Sequence, residues 1–490
     1  MCFMGRFQCL LVLATTCIWM LFPGCVTPPK ADRPATISES QKTTRATQGY
    51  QERLTQGQPR FFLPVYDQII PFIDRGDYAG ALSVLQEGEA QFGEKDRLLY
   101  LMESGLMNLY NHDYASCRNI LTEAESLDEE LYTMSITRQA TTFVINDLIA
   151  PYRGEDYESV MLNLLLALAY LQEGSVEDAL VEARKVDKKL EAINSQYPED
   201  KKNAYKEDAF VRWLMGMLYE MDPTSANLND AFVSYRKALD VYEKDYLNNY
   251  GIGPPVLLKQ NYLSLAEWIG GSEFDEAKRR FDGVPFLSQK DKKRISTLTF
   301  IHFNGKSPIK VERSITSPLP DGHIIKIAFP KYQDRPFTIV DSEMCATKVN
   351  DRRTFRARSH LGEPIAKIAH SNLENRKVRM LAKATARAAA KYAGTKLMEE
   401  RAEERFGLLG GLMAKVLGNA FIVLSEKADL RFWQSLPGEI RVAQLHVPPG
   451  TYLLEAHCLT GNGEDIEKLR LGTVTTKPGE NRVFIFRTIK

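Results

Sequence analysis

The chain has 490 residues, and 63 Lys and Arg balance 63 Asp and Glu, so the formal charge is zero. That balance excludes a global pull toward nucleic acid or acidic substrates. A composition of 44% hydrophobic and 26% charged residues is that of a globular protein, with length for two or three domains.

The first element is an apolar run, Leu10 to Phe22, behind a thin basic start that carries only Arg6. It is too short to span a bilayer comfortably and reads as the core of a signal peptide. It ends in Leu21-Phe22-Pro23-Gly24-Cys25, which resembles the lipobox of bacterial lipoproteins. The resemblance implies a signal peptide over 1–24 and a diacylglyceryl group on the Cys25 thiol, with further acylation after cleavage. Several acyl chains make a stable anchor where one does not. Val26 stands where Asp would retain the protein at the inner membrane, so the resemblance implies the periplasmic face of the outer membrane. Residues 25–58 are rich in Thr, Ser, Gln, Pro and Lys. They cannot bury a core, and a flexible tether is expected.

From 59 to 287 the apolar period is helical. The run LLLALAYLQEGSVEDALVEARKV, Leu164 to Val186, resembles a tetratricopeptide repeat (TPR). Ala167 stands at the small helix-crossing position, Gly174 in the turn and Ala179 beyond it. Further copies carry Gly76 and Ala81, Gly105 and Cys117, Gly216 and Ala231, and Ala277. Gly76 and His112 stand close to one period apart, roughly 34 residues, whereas the gap from His112 to Gly174 is nearly twice that. The expected domain is a TPR-like α-solenoid of four or five repeats with insertions. Such solenoids present a concave face made by the first helix of each pair. The repeat offsets place Met102, Leu106, Leu109, Leu164, Leu168, Leu171, Trp213 and Met217 on it. An apolar, Met-containing groove suits a partner peptide or helix. The same residues would also serve as core against a second domain.

The charged stretch 288–294 marks a boundary, and 295–490 reads as a small β-sandwich. Strands are predicted at Thr297–Phe303, His323–Phe329, Phe337–Val340, Met344–Val349, Glu439–Val447, Tyr452–Leu459, Leu469–Thr476 and Asn481–Thr488. The run PPGTYLLEAHCL followed by KPGENRVFIF resembles prealbumin-like or PEGA-like envelope sandwiches. Cys345 and Cys458 fall in predicted strands; they are placed either to pair in an oxidising periplasm or to stand as buried thiols.

A long helical hairpin, about 361–427, interrupts the strands. Its Ala-rich first part sets Arg376, Arg379, Lys383, Arg387 and Lys391 on one face. The following run, FGLLGGLMAKVLGNAFIVL, is nearly all apolar and includes Leu408, Leu409 and Leu412. Two readings follow. The hairpin packs on the sandwich, or it contacts a membrane, with the basic stripe meeting lipid phosphates. Oligomeric insertion belongs to the second reading.

Next comes Ala428 to Pro437, ADLRFWQSLP. With the lipobox, repeats and Ala-rich helix, it resembles a group of bacterial TPR-containing outer-membrane lipoproteins, which carry a similar Asp-x-Arg-x-Trp-x-x-Leu-Pro segment. The resemblance implies an architecture and a location and no activity. Asp429 and Arg431 are expected to pair, with Trp433 buried as a clamp between hairpin and sandwich.

No metal-spaced Cys/His cluster, GxSxG, P-loop or dinucleotide fingerprint occurs. The expectation is therefore no enzyme, no metal, and no cofactor beyond the lipid on Cys25. The functional reading is a lipid-anchored adaptor that binds envelope proteins through its groove. The alternative is an oligomerising, membrane-associated component of an export assembly that uses the 376–424 hairpin.

Overall fold

The computed structural model describes residues 63–138, 150–195 and 205–490. The lipobox with Cys25, and the tether, lie outside them.

Ten helices form five antiparallel pairs: α1 (Val65–Asp74) with α2 (Tyr78–Glu87), α3 (Arg97–Tyr110) with α4 (Tyr114–Arg138), α5 (Asp156–Gln172) with α6 (Val176–Ser195), α7 (Ala209–Tyr219) with α8 (Ser225–Val241), and α9 (Val256–Ile269) with α10 (Gly271–Arg280). Small residues set their approach. A Cβ on Gly105 would stand 2.2 Å from Leu121, and one on Gly216 would stand 2.2 Å from the Tyr235 ring. Ala81, Cys117, Ala179, Ala231 and Ala277, at the corresponding positions of the second helices, are all fully buried. The long interval between His112 and Gly174 is taken up by the 25-residue α4 and the segment after it.

Ten strands follow: β1 (Ser296–Asn304), β2 (Ile309–Pro318), β3 (Ile324–Gln333), β4 (Asp341–Lys348), β5 (Thr354–Arg358), β6 (His360–Glu363), β7 (Glu439–Val447), β8 (Gly450–Leu459), β9 (Asp465–Thr476) and β10 (Asn481–Thr488). Two four-stranded sheets, ordered β10-β1-β7-β6 and β5-β4-β8-β9, share a core that includes Leu298, Phe300, Met344, Leu454 and Phe486. The strands β2 and β3 form a separate two-stranded ribbon. The expected strand at Phe337–Val340 is instead an irregular stretch, where the Thr338 and Ile339 amides donate to the Lys490 carbonyl.

The expected alternation of β1 gives way to burial on both faces. Leu298 and Phe300 face the second sheet, while Ile301 and Phe303 join the helices in one continuous apolar cluster. The molecule therefore has three layers: helix pairs, the β1 sheet, and the β4 sheet. His302 is a core residue in this stack. Its ring lies on Phe486 at 4.4 Å and bonds the hydroxyls of Ser342 and Thr488.

Cys345 and Cys458 do not pair; both are free thiols. In the β4–β8 ladder Cys458 stands opposite Ser342 and Cys345 opposite Glu455. Cys458 shares the face of Leu454 and Ala456, whereas Cys345 alternates with core-facing Met344 and Ala346, so the two sulfurs lie on opposite faces.

Candidate functional site

The helix-pair face expected as an open groove is filled. Met102, Leu106, Leu109, Leu164, Leu168, Leu171, Trp213 and Met217 are all buried. They belong to the cluster that includes Phe303, Trp433, Leu436, Ile440 and Val442 from the C-terminal half. This corrects the groove reading. The same apolar character that suits a foreign peptide here binds the chain's own sheet and its 428–437 segment.

That segment is held by polar anchors on the helices. Glu103 accepts from the Gln434 amide at 2.7 Å and Glu158 from the Trp433 amide at 2.8 Å. Burial pushes the Glu103 carboxyl up to about 7 and also raises Glu158. Arg431 pairs with Asp429 at 2.6 Å and with buried Asp96 at 2.9 Å. Burial alone would lower the Arg431 pKa, but these two carboxylates raise it. Trp433 is fully buried, with its indole donating to the Ser435 hydroxyl at 3.1 Å. It clamps the segment to the helix pairs, not to the hairpin.

The hairpin is the element that stays uncovered. Helix α11 (Ile365–Ser425) is two antiparallel arms, 365–406 and 408–425, joined at Gly407. Gly407 has φ 69° and ψ −173°, a conformation open essentially to glycine alone. The first arm is rooted by Ile365, Ile368, Ala369 and Leu373 in the main core. The arms close on small residues: Gly418 lies on Thr395, where a Cβ would stand 2.9 Å away, and Gly411 lies on Glu403. Lys415 pairs with Glu399 at 2.7 Å, and Glu426 receives Arg387 at 3.1 Å and Lys391 at 2.7 Å.

The β2–β3 ribbon runs along the hairpin and takes up the second arm's remaining polarity. Asn419 accepts from the Ile324 amide and donates to the Gly322 carbonyl, and Lys415 donates to the Asp321 carbonyl. Lys415, Asn419 and Ser425 are the only polar side chains of 408–425. The outward face is therefore wholly apolar. Leu408, Leu409, Leu412, Met413, Val416, Leu417, Phe421 and Leu424 are each about half exposed or more, with Leu409 at 76%. Contiguous exposed apolar faces of this kind mark interaction or membrane-contact sites in soluble proteins. By length and composition this is the one helix among the described residues apolar enough to cross a membrane.

The packed reading of the hairpin holds for its inner edge (Gly411, Gly418, Ile422), which closes on small residues beside the β2–β3 ribbon, while the outward face of the apolar run stays uncovered. The lipid-facing basic stripe is corrected. Arg376 pairs with Glu155, Arg387 is buried, and both Arg387 and Lys391 are spent on Glu426. Arg379 is exposed and Lys383 half-buried on the same arm. Helical spacing correctly placed the five on one arm; it could not say that carboxylates 221 and 39 residues from Arg376 and Arg387 would face them. Met413, Val416, Leu417, Phe421 and Leu424 extend the exposed face beyond the leucines singled out from sequence.

Among the described residues, no group of three or more His, Cys, Asp or Glu side chains is arranged to hold a metal ion. No protein-family model matches the chain, and no curated protein matches it. Among solved structures, MamA residues 41-end from Desulfovibrio magneticus RS-1 matches at 16% identity and TM-score 0.27, over 45% of this chain and 90% of that one. NprR in complex with its cognate peptide NprX matches at 14% identity and TM-score 0.19, over 49% of this chain and 72% of that one.

Proposed function

We propose that this chain is a membrane-tethered scaffold of the bacterial envelope, a binding protein and not an enzyme. A lipid on Cys25 holds it to the periplasmic face of the outer membrane. The second hairpin arm lays its outward face in the lipid interface, and the helix pairs, a TPR-like solenoid, form the rigid body presented to other envelope proteins. The observation that carries this reading is the unbroken exposed apolar face of 408–424.

The arm lies in the membrane plane instead of spanning it. At the level of its first two turns the partner arm carries Glu400, Arg401, Glu403, Glu404 and Arg405, all exposed. Burying those charges in hydrocarbon is costly. With the second arm down and the first arm up, about 27 Å of apolar helix meets the acyl boundary while the charges stay in water.

Flotation with vesicles of phosphatidylethanolamine and phosphatidylglycerol tests this. Cys25→Ser protein is expected to float, and the double variant Leu409→Asp/Leu412→Asp to remain at the bottom with an unchanged circular dichroism spectrum. Sedimentation of the Cys25→Ser protein without lipid provides the contrast. A protein that forms multimers through this face and ignores vesicles would overturn lipid as the occupant in favour of a second copy.

A further inference from the structure

A cavity of about 400 Å³ opens where the ends of three helix pairs meet the edges of both sheets. Tyr78, Tyr110 and Tyr114 wall it on the helix side, and residues 469–471 of β9 and 484–487 of β10 on the other. Successive side chains of a strand point to opposite faces. Lining by consecutive residues therefore means that strand edges face the opening. Each of these strands is indeed the outermost of its sheet.

The charge in this cavity is one-sided. Arg470, Arg487 and His112 line it, and no carboxylate is among the described lining residues. Arg470 stands at the mouth, its side chain 80% exposed and 3.8 Å from the Glu455 carboxylate. Arg487 lies against the wall, its guanidinium carbon 5.1 Å from the centre of the Tyr110 ring. Its three side-chain nitrogens are buried, and none makes a hydrogen bond among the described residues. Burial raises the pKa of the adjacent Tyr78 hydroxyl, and the charge and close approach of Arg487 offset part of that rise, so the guanidinium meets a neutral phenol here and no carboxylate. A buried cation in that condition is costly unless an anion completes it.

A second observation comes from the turn at the mouth. Gly76 and Gly174 hold the left-handed turn position of the flanking pairs, at φ 72° and 88°. In the pair between them that position is His112, at φ 61°, with its ring bonded to the Tyr114 hydroxyl at 2.9 Å. A side chain there carries a backbone strain that glycine would not. It adds an imidazole to the two guanidinium groups that line the cavity.

We propose that this cavity binds a small organic carboxylate with an apolar or aromatic body. Rotation of the terminal torsions of Arg487 turns its planar fork to the carboxylate, with Arg470 closing from the mouth. The ligand's body lies among the tyrosine rings, and its polar groups meet the free strand edges. The volume is within the range of small-ligand sites, roughly 300–1,000 Å³.

Methyl NMR of the full chain, titrated with 3-phenylpropionate, 3-phenylpropionamide and inorganic phosphate, tests it. The carboxylate is expected to shift the methyls of Leu469, Leu471 and Ile485 at millimolar concentration, with the amide and phosphate each at least tenfold weaker. Arg487→Met is expected to abolish this binding and to raise the melting temperature of the ligand-free protein, because it removes an uncompensated buried charge. Equal shifts from acid and amide, equal shifts from phosphate, or no shift up to 20 mM would each overturn the proposal. So would a lower melting temperature with binding retained, which would make Arg487 a packing residue only.

Discussion

Arg431 shows what one side chain can hold together. Its guanidinium grips Asp429 beside it and Asp96 from the opposite half of the chain, and donates to the Ala150 carbonyl. The local half of that arrangement is legible from the Asp-x-Arg spacing. The distant half is not, because nothing in local sequence records which carboxylate folding brings to the other side. Glu103 gives the residue scale a measurable consequence. Its folded-state carboxyl titrates at about 7, above the ordinary carboxyl range, because it is buried. The stability that goes with its bound proton is complete below the ordinary range and is lost as pH rises through 7. Glu155 has the opposite sign. Burial opposes its ionisation, but Arg376 and Lys310 prevail and hold it at about 2, so its contribution is complete above the ordinary carboxyl range and is lost as pH falls from there through about 2. Between pH 4.5 and 8, wild type is therefore expected to lose about 3 kcal/mol relative to Glu103→Gln, as read by urea denaturation at the two pH values.

At the scale of elements, the hairpin separates what sequence periodicity records from what it omits. The long Ala-rich helix, the apolar run after it and the turn between them are all legible. The direction of the basic residues is not, since a helical wheel gives a face without giving its neighbour. Of the β2–β3 ribbon, β3 is legible at His323–Phe329, but β2 is not, for a related reason. Its first strand, IKVERSITSP, carries Lys, Glu and Arg because its central positions are exposed, and a two-stranded ribbon along a helix does not need a full apolar alternation. The seam of the hairpin is narrow because Gly418 sits on Thr395. Gly418→Val is expected to pry the arms apart, with about 1–3 kcal/mol of local destabilisation. Hydrogen exchange should then rise throughout 408–425 while the amides of β1 and β7 keep their protection. Exchange that rises in the sheet as well would show that the hairpin is part of the main cooperative unit.

For the whole molecule, the governing fact is one apolar cluster shared by helix pairs and sheet. Strands β7, β8 and β10 were readable nearly to the residue, and β9 but for its first four residues, because Pro-Gly and Asn-Gly turns frame alternating runs. Their joint packing on the helices was not, since buried leucines look alike whether they face a partner protein or their own chain. Calorimetry is expected to show one main transition for the body. Deletion of 481–490 removes the parallel partner of β1 and the face that carries Ile485. That deletion should unfold helices and sheets together, whereas two well-separated transitions would mean that the halves are stable apart.

The self-filled helix face also sets a schedule for biogenesis. The five helix pairs leave the ribosome long before the segment that seals them. At roughly 5–20 residues per second, the stretch from 286 to 437 takes on the order of ten to thirty seconds to make. Throughout that interval Leu164, Leu168 and Trp213 lack the sheet and the 428–437 segment that complete their cluster. If the chain is exported as proposed, it carries an unsealed helical half through that whole interval. Keeping it unfolded until the C-terminal strands arrive is a task for a holding chaperone, and loss of such a chaperone should deplete this protein before others of equal length whose cores close locally.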